Sequence, residues 1–279
     1  CKMKDIKYSK NVLKLQLITL ALLLCALVAS SQNYTGVSIE GTFAPYEGYE
    51  RTNLDAYSEW LVSHPLKESN QVLYYNGSLK ENRSIYAAVF NYEIGDRDLH
   101  QCADAAIYLR ASYNYSNKFY DRLEFTFTNG VTSSYTEYLL GYNYVEMNGG
   151  RDLIKKRGKS RKNNCKNFRK WLNLVWNYAG TYSIEEYDTV SVPLFDMQPG
   201  DVFVEGGFPG HAMTVVDMAE DMENGHKIYM LAQSYMPAQE QQIVLNPLTK
   251  DVWFSLDDMN YIITPEYTFT PDQLRRFKK

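Results

Sequence analysis

Apolar and polar positions divide this chain into three stretches of different rhythm. The first is an almost unbroken apolar run of 14 residues, Leu15 to Val28, behind Lys4, Lys7, Lys10 and Lys14. A helix that crosses a bilayer needs about 20 such residues. A shorter run behind positive charge predicts a cleavable secretory signal over 1–31, with Ala29 and Ser31 at the −3 and −1 positions. In the middle stretch a helical period dominates. Asn53–Val62 reads as a helix that His64-Pro65 stops, Leu99–Tyr115 as a second and Phe168–Tyr178 as a third. The last of these places apolar residues at 168, 171, 172, 175 and 178. Val72–Tyr75 and Ala87–Tyr92 read as strands around an Asn76-Gly77 turn, and Leu123–Thr128 alternates before Asn129-Gly130. The final third is strand-rich, with Val202–Val204, Ala212–Met218 and Ile228–Ser234 ahead of a tail from Pro265. Helices early and strands late predict one α+β domain over 32–279.

Composition narrows the class. A segment of about 250 residues can bury a core without staples. Without the five lysines and one aspartate of the signal, the rest carries 24 basic and 32 acidic residues, a net charge of −8. That balance argues against nucleic acid as the main partner. Only Cys102 and Cys165 follow the signal, so this is no disulfide scaffold, although an oxidising compartment would permit one bridge between them. Cys165, amid Lys and Arg, is expected to be exposed and outside the chemistry. Cys25 raises the question of lipidation, but Leu24 before it is bulky for a lipobox. Asn-x-Ser/Thr sites fall at Asn33, Asn76, Asn82 and Asn114. Arg151–Lys170 holds ten basic residues against Asp152 alone and reads as a solvated loop entering a helix, or as a patch for an anionic ligand.

Candidate chemistry centres on Cys102. Asp98 with Gln101 three residues on fits a capping box, which would put Cys102 in the first turn of a helix. The positive end of the helix dipole favours a thiolate there. Leu99, Cys102, Ala106, Leu109 and Tyr113 also follow helical spacing, so Cys102 could instead be a small knob in a buried stripe. His211 follows Gly206-Gly207-Phe208-Pro209-Gly210 and opens a strand, a position suited to a base. If Asp217 faces Lys227 across the next turn, His211 falls opposite Gln233, whose amide would orient the imidazole. Ser234 then points to the other face. His100 beside Cys102 lacks a second cluster for zinc. No serine elbow, phosphate loop or dinucleotide fingerprint is present. Neither a metal nor another cofactor is expected.

Three blocks, GDRDLHQCADA (95–105), GDVFVEGGFPGHA (200–212) and LAQSYMPAQ (231–239), resemble the domain of unknown function 4846 family, and the likeness runs on through TPEYTF (264–269). That resemblance implies an exported protein of the bacterial envelope, chiefly in Bacteroidota. The order of a cysteine at a helix start, a Pro-Gly-Asp strand and a Gly-His strand is also similar to NlpC-type papain-like cysteine peptidases. It implies a cysteine helix packed on a small antiparallel sheet, with Cys102 as nucleophile, His211 as base and Gln233 as orienter. Gln101 and Ala103-Asp104 depart from the residues usual around that cysteine, and the cysteine-to-histidine separation of 109 residues is long. The resulting expectation is a thiol hydrolase, amidase or peptidase, exported to the periplasm, outer surface or medium. Its substrate would be a small peptide or cell-wall fragment, and it would not be integral to the membrane once the signal is removed. The alternative is an inactive module on the same fold that binds glycan, peptide or protein.

Overall fold

The computed structural model describes residues 37–52, 55–148, 152–257 and 260–278; the signal segment, Cys25 and Asn33 lie outside them. The chain runs α1 (Ile39–Thr42), β1 (Tyr49–Arg51), α2 (Ala56–Val62), β2 (Tyr86–Val89) and α3 (Cys102–Ser116). It continues through β3 (Glu124–Thr126), β4 (Thr132–Ser134), α4 (Tyr135–Leu139), β5 (Tyr142–Met147), β6 (Asp152–Arg157) and α5 (Cys165–Tyr178). Then come β7 (Thr189–Ser191), β8 (Val202–Glu205), β9 (His211–Asp221), β10 (Lys227–Gln233), β11 (Gln242–Val244), β12 (Trp253–Ser255), β13 (Ile262–Ile263), β14 (Thr268–Phe269) and β15 (Leu274–Phe277). The fold is α+β. Its centre is an antiparallel sheet in the order β2-β11-β10-β9-β8-β15-β7, nine-stranded among the described residues once β1 on β9 and β12 on β10 are added.

Strand β9 is the axis of the molecule. Its first nine residues are all buried, so both faces are covered, and the strand is nearly continuous in Val, Ala and Met. Val216 and Ala219 pack with Leu61 of α2 and Leu109 of α3 on one side. Met213, Val215 and Met218 pack on the other with Phe203, Phe254 and Phe269. Helix α3 is buried far beyond a single stripe, because Ala103, Ala105, Ala106 and Ala111 let neighbours approach from several sides. Helix α5 presents Phe168, Trp171, Leu172, Val175 and Trp176 to the core, close to the expected stripe. It begins at Cys165 because the Asn164 side chain accepts from Asn167 N at 2.9 Å.

Several sequence expectations change. The Asn76-Gly77 turn brings Leu73 onto Leu79, not Val72–Tyr75 onto the Ala87 strand. The basic segment is no loop at first. Its first part is β6, paired with β5, and Tyr144 and Leu153 of this hairpin pack against the core. The tail from Pro265 is structured. It completes the β13–β14 hairpin and then inserts β15 between β8 and β7. Asn114 is 1% exposed and therefore cannot serve as a surface acceptor. No helix among the described residues is long and apolar enough to cross a membrane.

Candidate active site

Helix α3 starts three residues later than the sequence suggests. Gln101 is the N-cap, and its N–H donates to Asp104 Oδ2 at 3.0 Å. Asp98 is occupied elsewhere: its Oδ1 accepts from Ala238 N at 2.7 Å and Gln101 Nε2 at 3.0 Å. It thus ties the loop after β10 to the helix start. Cys102 is the first residue of α3, and the helix packs against β9. Gly210, just before β9, lies where a Cβ would meet Glu205 O at 2.7 Å and Gly207 O at 2.5 Å. Only glycine lets the chain fold this tightly into the histidine strand.

His211 and Gln233 meet, through a different register from the expected one. Asp217 lies opposite Met230 and bonds Arg51 Nε at 2.9 Å, whereas Lys227 lies opposite Glu220. Read straight on, that register would put His211 and Gln233 on opposite faces. A bulge intervenes: Met230 pairs with Asp217 but Leu231 with Val215, leaving Val216 as the extra residue. The bulge restores the parity. His211 Nε2 then donates to Gln233 Oε1 at 2.7 Å, both side chains being about 1% exposed. Ser234 does not compete, since its hydroxyl donates to His100 O at 2.8 Å and Gln239 O at 2.7 Å.

The Cys102 sulfur sits at the same strand end, where it receives the backbone N–H of Ala212, the residue after His211. Tyr235 and Tyr267 connect the two side chains. Each packs on the His211 ring, at 4.8 and 5.1 Å between centroids, and ionisation of Cys102 would push each phenol up. Phe269 stacks on the ring at 5.9 Å.

Burial reverses the expected electrostatics. The Cys102 thiol is pushed up to about 11, first by desolvation and then by the Asp104 carboxylate, against the N–H groups of Ala212, Ala103 and Cys102. The helix terminus does favour the thiolate, but it is outweighed. Desolvation pushes His211 down to about 4, and Lys80 adds to this. Near neutral pH the pair therefore rests as thiol and neutral imidazole. Asp104, also buried, is held well above the carboxylate range by desolvation, and its Oδ1 has no partner. Iodoacetamide, which attacks preformed thiolate, should alkylate native Cys102 at pH 7 more slowly than a free thiol by about tenfold or more. The rate should climb with pH until about 11. A plateau near pH 8 in a mass-spectrometric time course would contradict the raised thiol.

Cys102 opens on a cleft of about 560 Å³. Asp98, Asp104, Trp176, Tyr182, Phe208 and Met236 are among its walls, and no Lys, Arg or His lines it among the described residues. Phe208 stands 91% exposed on the rim. His100 lies behind, fully buried among Tyr92, Tyr108 and Trp176, with Nε2 on the Tyr92 hydroxyl at 3.2 Å. It is a packed histidine, held neutral by desolvation. Cys102 and Cys165 are not joined in a disulfide, and Cys165 is half-buried beside the Tyr115 hydroxyl. No group of three or more His, Cys, Asp or Glu among the described residues could hold a metal.

A model for a domain of unknown function (4846) matches residues 39–276. The chain belongs to that family. The match covers the cysteine helix α3, strands β8 to β10 and all three side chains above. No curated protein and no solved structure matches the chain.

The sequence reading missed two side chains behind the histidine. Glu266 accepts from Gln233 Nε2 at 2.6 Å, and Lys80 Nζ bonds the same carboxylate oxygen at 2.7 Å. A signal for Glu266 existed, in the Thr264-Pro-Glu-Tyr turn of the last family block. Nothing in the sequence around Lys80 marks it.

Proposed function

We propose that this domain is a thiol hydrolase of the bacterial envelope, papain-like in arrangement, which cleaves amide bonds in small or cell-wall-derived peptides. One observation carries the reading. His211 is locked by Gln233 so that its proton lies on Nε2, and the Cys102 sulfur rests on the next residue's N–H, beside an open cleft. With Nε2 protonated, Nδ1 is the basic nitrogen. In the reaction Nδ1 takes the thiol proton as sulfur attacks the carbonyl carbon. The C–N bond breaks, the amine leaves with that proton, and a Cys102 thioester remains. Water, deprotonated at Nδ1, then releases the acid and restores the thiol. The backbone N–H groups at the start of α3 are suited to the oxyanion. A wall that holds Asp98 and the buried acid Asp104, with no cation among the described lining residues, favours peptides that present neutral or amino groups. Export rests on the charge and length of residues 1–31.

The test is acyl transfer from a p-nitrophenyl ester and from a panel of cell-wall peptides. The wild type should release product and carry the acyl group on Cys102 by mass spectrometry, while Cys102→Ala should do neither. Equal background rates in both would end the enzyme reading. They would favour the binding module, to which the 6% exposure of Cys102 also lends support.

A further inference from the structure

The polar chain behind His211 has a direction. Lys80 can only donate hydrogen bonds, and an ionised carboxylate can only accept them. Glu266 Oε2 receives one hydrogen from Lys80 Nζ at 2.7 Å and another from Gln233 Nε2 at 2.6 Å. The Gln233 amide is thereby fixed one way round, with Oε1 toward His211, where it accepts from Nε2 at 2.7 Å. A reversed amide would set its oxygen against the carboxylate and its NH₂ against Nε2. The ring would then carry its proton on Nδ1, the nitrogen that must receive the thiol proton.

We propose that Glu266 is a positioning residue that sets the tautomer of His211 through Gln233, with Lys80 as its counter-charge. Its place in the fold suits the task. Glu266 sits in the turn of the β13–β14 hairpin, held by Thr264 N on Tyr267 O at 2.9 Å, and Tyr267 and Phe269 of the same hairpin pack on the imidazole. One hairpin therefore supplies both the wall of the ring and the polarity of its hydrogen bond. The Lys80 side chain is only 4% exposed, and its charge opposes protonation of His211. A carboxylate can thus stand behind the amide without drawing a second proton to the ring. The value of this to turnover rests on the hydrolase reading, whereas the tautomer itself does not.

The experiment is two-bond proton–nitrogen correlation NMR on the histidine rings of ¹⁵N-labelled protein, with His211 assigned from His211→Ala. Wild type should show the Nε2–H form. Glu266→Ala should shift the tautomer ratio by about tenfold toward Nδ1–H, and the acylation rate of Cys102 should fall by about tenfold or more, since a misplaced imidazole proton disables the base. Glu266→Gln should recover both, because Lys80 would hold the new amide oxygen where the carboxylate oxygen now lies. If Glu266→Ala fails to fold, Glu266→Gln combined with Lys80→Met removes the same constraint and should mix the tautomers. An unchanged His211 tautomer in either variant, with the other rings unmoved, would overturn the proposal. A shifted tautomer in a protein whose wild type never acylates would uphold the positioning role and sink the hydrolase reading.

Discussion

With His211 replaced by alanine, acylation of Cys102 at pH 7 should fall by about 10²–10⁴-fold, the usual contribution of a positioned base. The pH profile carries more information than the single rate. The wild type needs only a neutral imidazole, so its rate should rise through about pH 4 and then stay level across neutrality. Without His211 the thiol must ionise unaided, so the rate should climb tenfold per pH unit until about 11. The two profiles should converge at high pH. Stopped-flow release of p-nitrophenol checks this. A constant ratio between wild type and variant from pH 6 to 10 would mean that His211 supports the site without moving a proton.

The largest loss of stability is expected from Trp171→Ala. Trp171 is fully buried, among the rings of Phe125, Tyr135 and Phe168, and its Nε1 donates to Ser133 Oγ at 3.0 Å. Truncating a buried tryptophan costs about 3–5 kcal/mol, and the buried Ser133 hydroxyl loses one hydrogen bond as well. Natural domains hold only about 5–15 kcal/mol in total, so the variant should be marginal at best. Trp171→Phe keeps most of the ring and should lose about 1–2 kcal/mol, mainly the hydrogen bond. Urea unfolding with an unchanged m-value checks both. Because Trp176 of the same helix lines the cleft, site integrity should fall together with stability.

What could be read from the sequence was local and periodic. The stripe of α5 and the three late strands follow from apolar spacing alone. The pairing of His211 with Gln233 was also anticipated, yet for a reason that fails. Asp217 pairs with Arg51, some 166 residues away in sequence, and not with Lys227. No periodicity announces a partner that distant. The bulge at Val216 is equally silent, since valine suits a regular strand. Basic residues disguised β6, because only Leu153 packs on the core and Ile154, Lys155, Lys156 and Arg157 are exposed. The thiol pKa was misjudged because a helix terminus is visible in sequence and desolvation is not. Lys80 came into view only when β13–β14 folded back over the sheet and brought Glu266 to it.

The bulge in β9 also bears on which insertions and deletions the domain can absorb. From His211 to the turn at 222–226 the strand extends about 35 Å, so residues added in that turn should leave the imidazole undisturbed. Loss of one residue between Ala212 and Val216 would instead rotate His211 to the opposite side of the sheet. Relatives that keep the His211–Gln233 bond must therefore agree in odd-or-even count along this stretch, while the total spacing between the two residues is free to drift. An alignment that penalises gaps uniformly would weigh these two kinds of change the wrong way round.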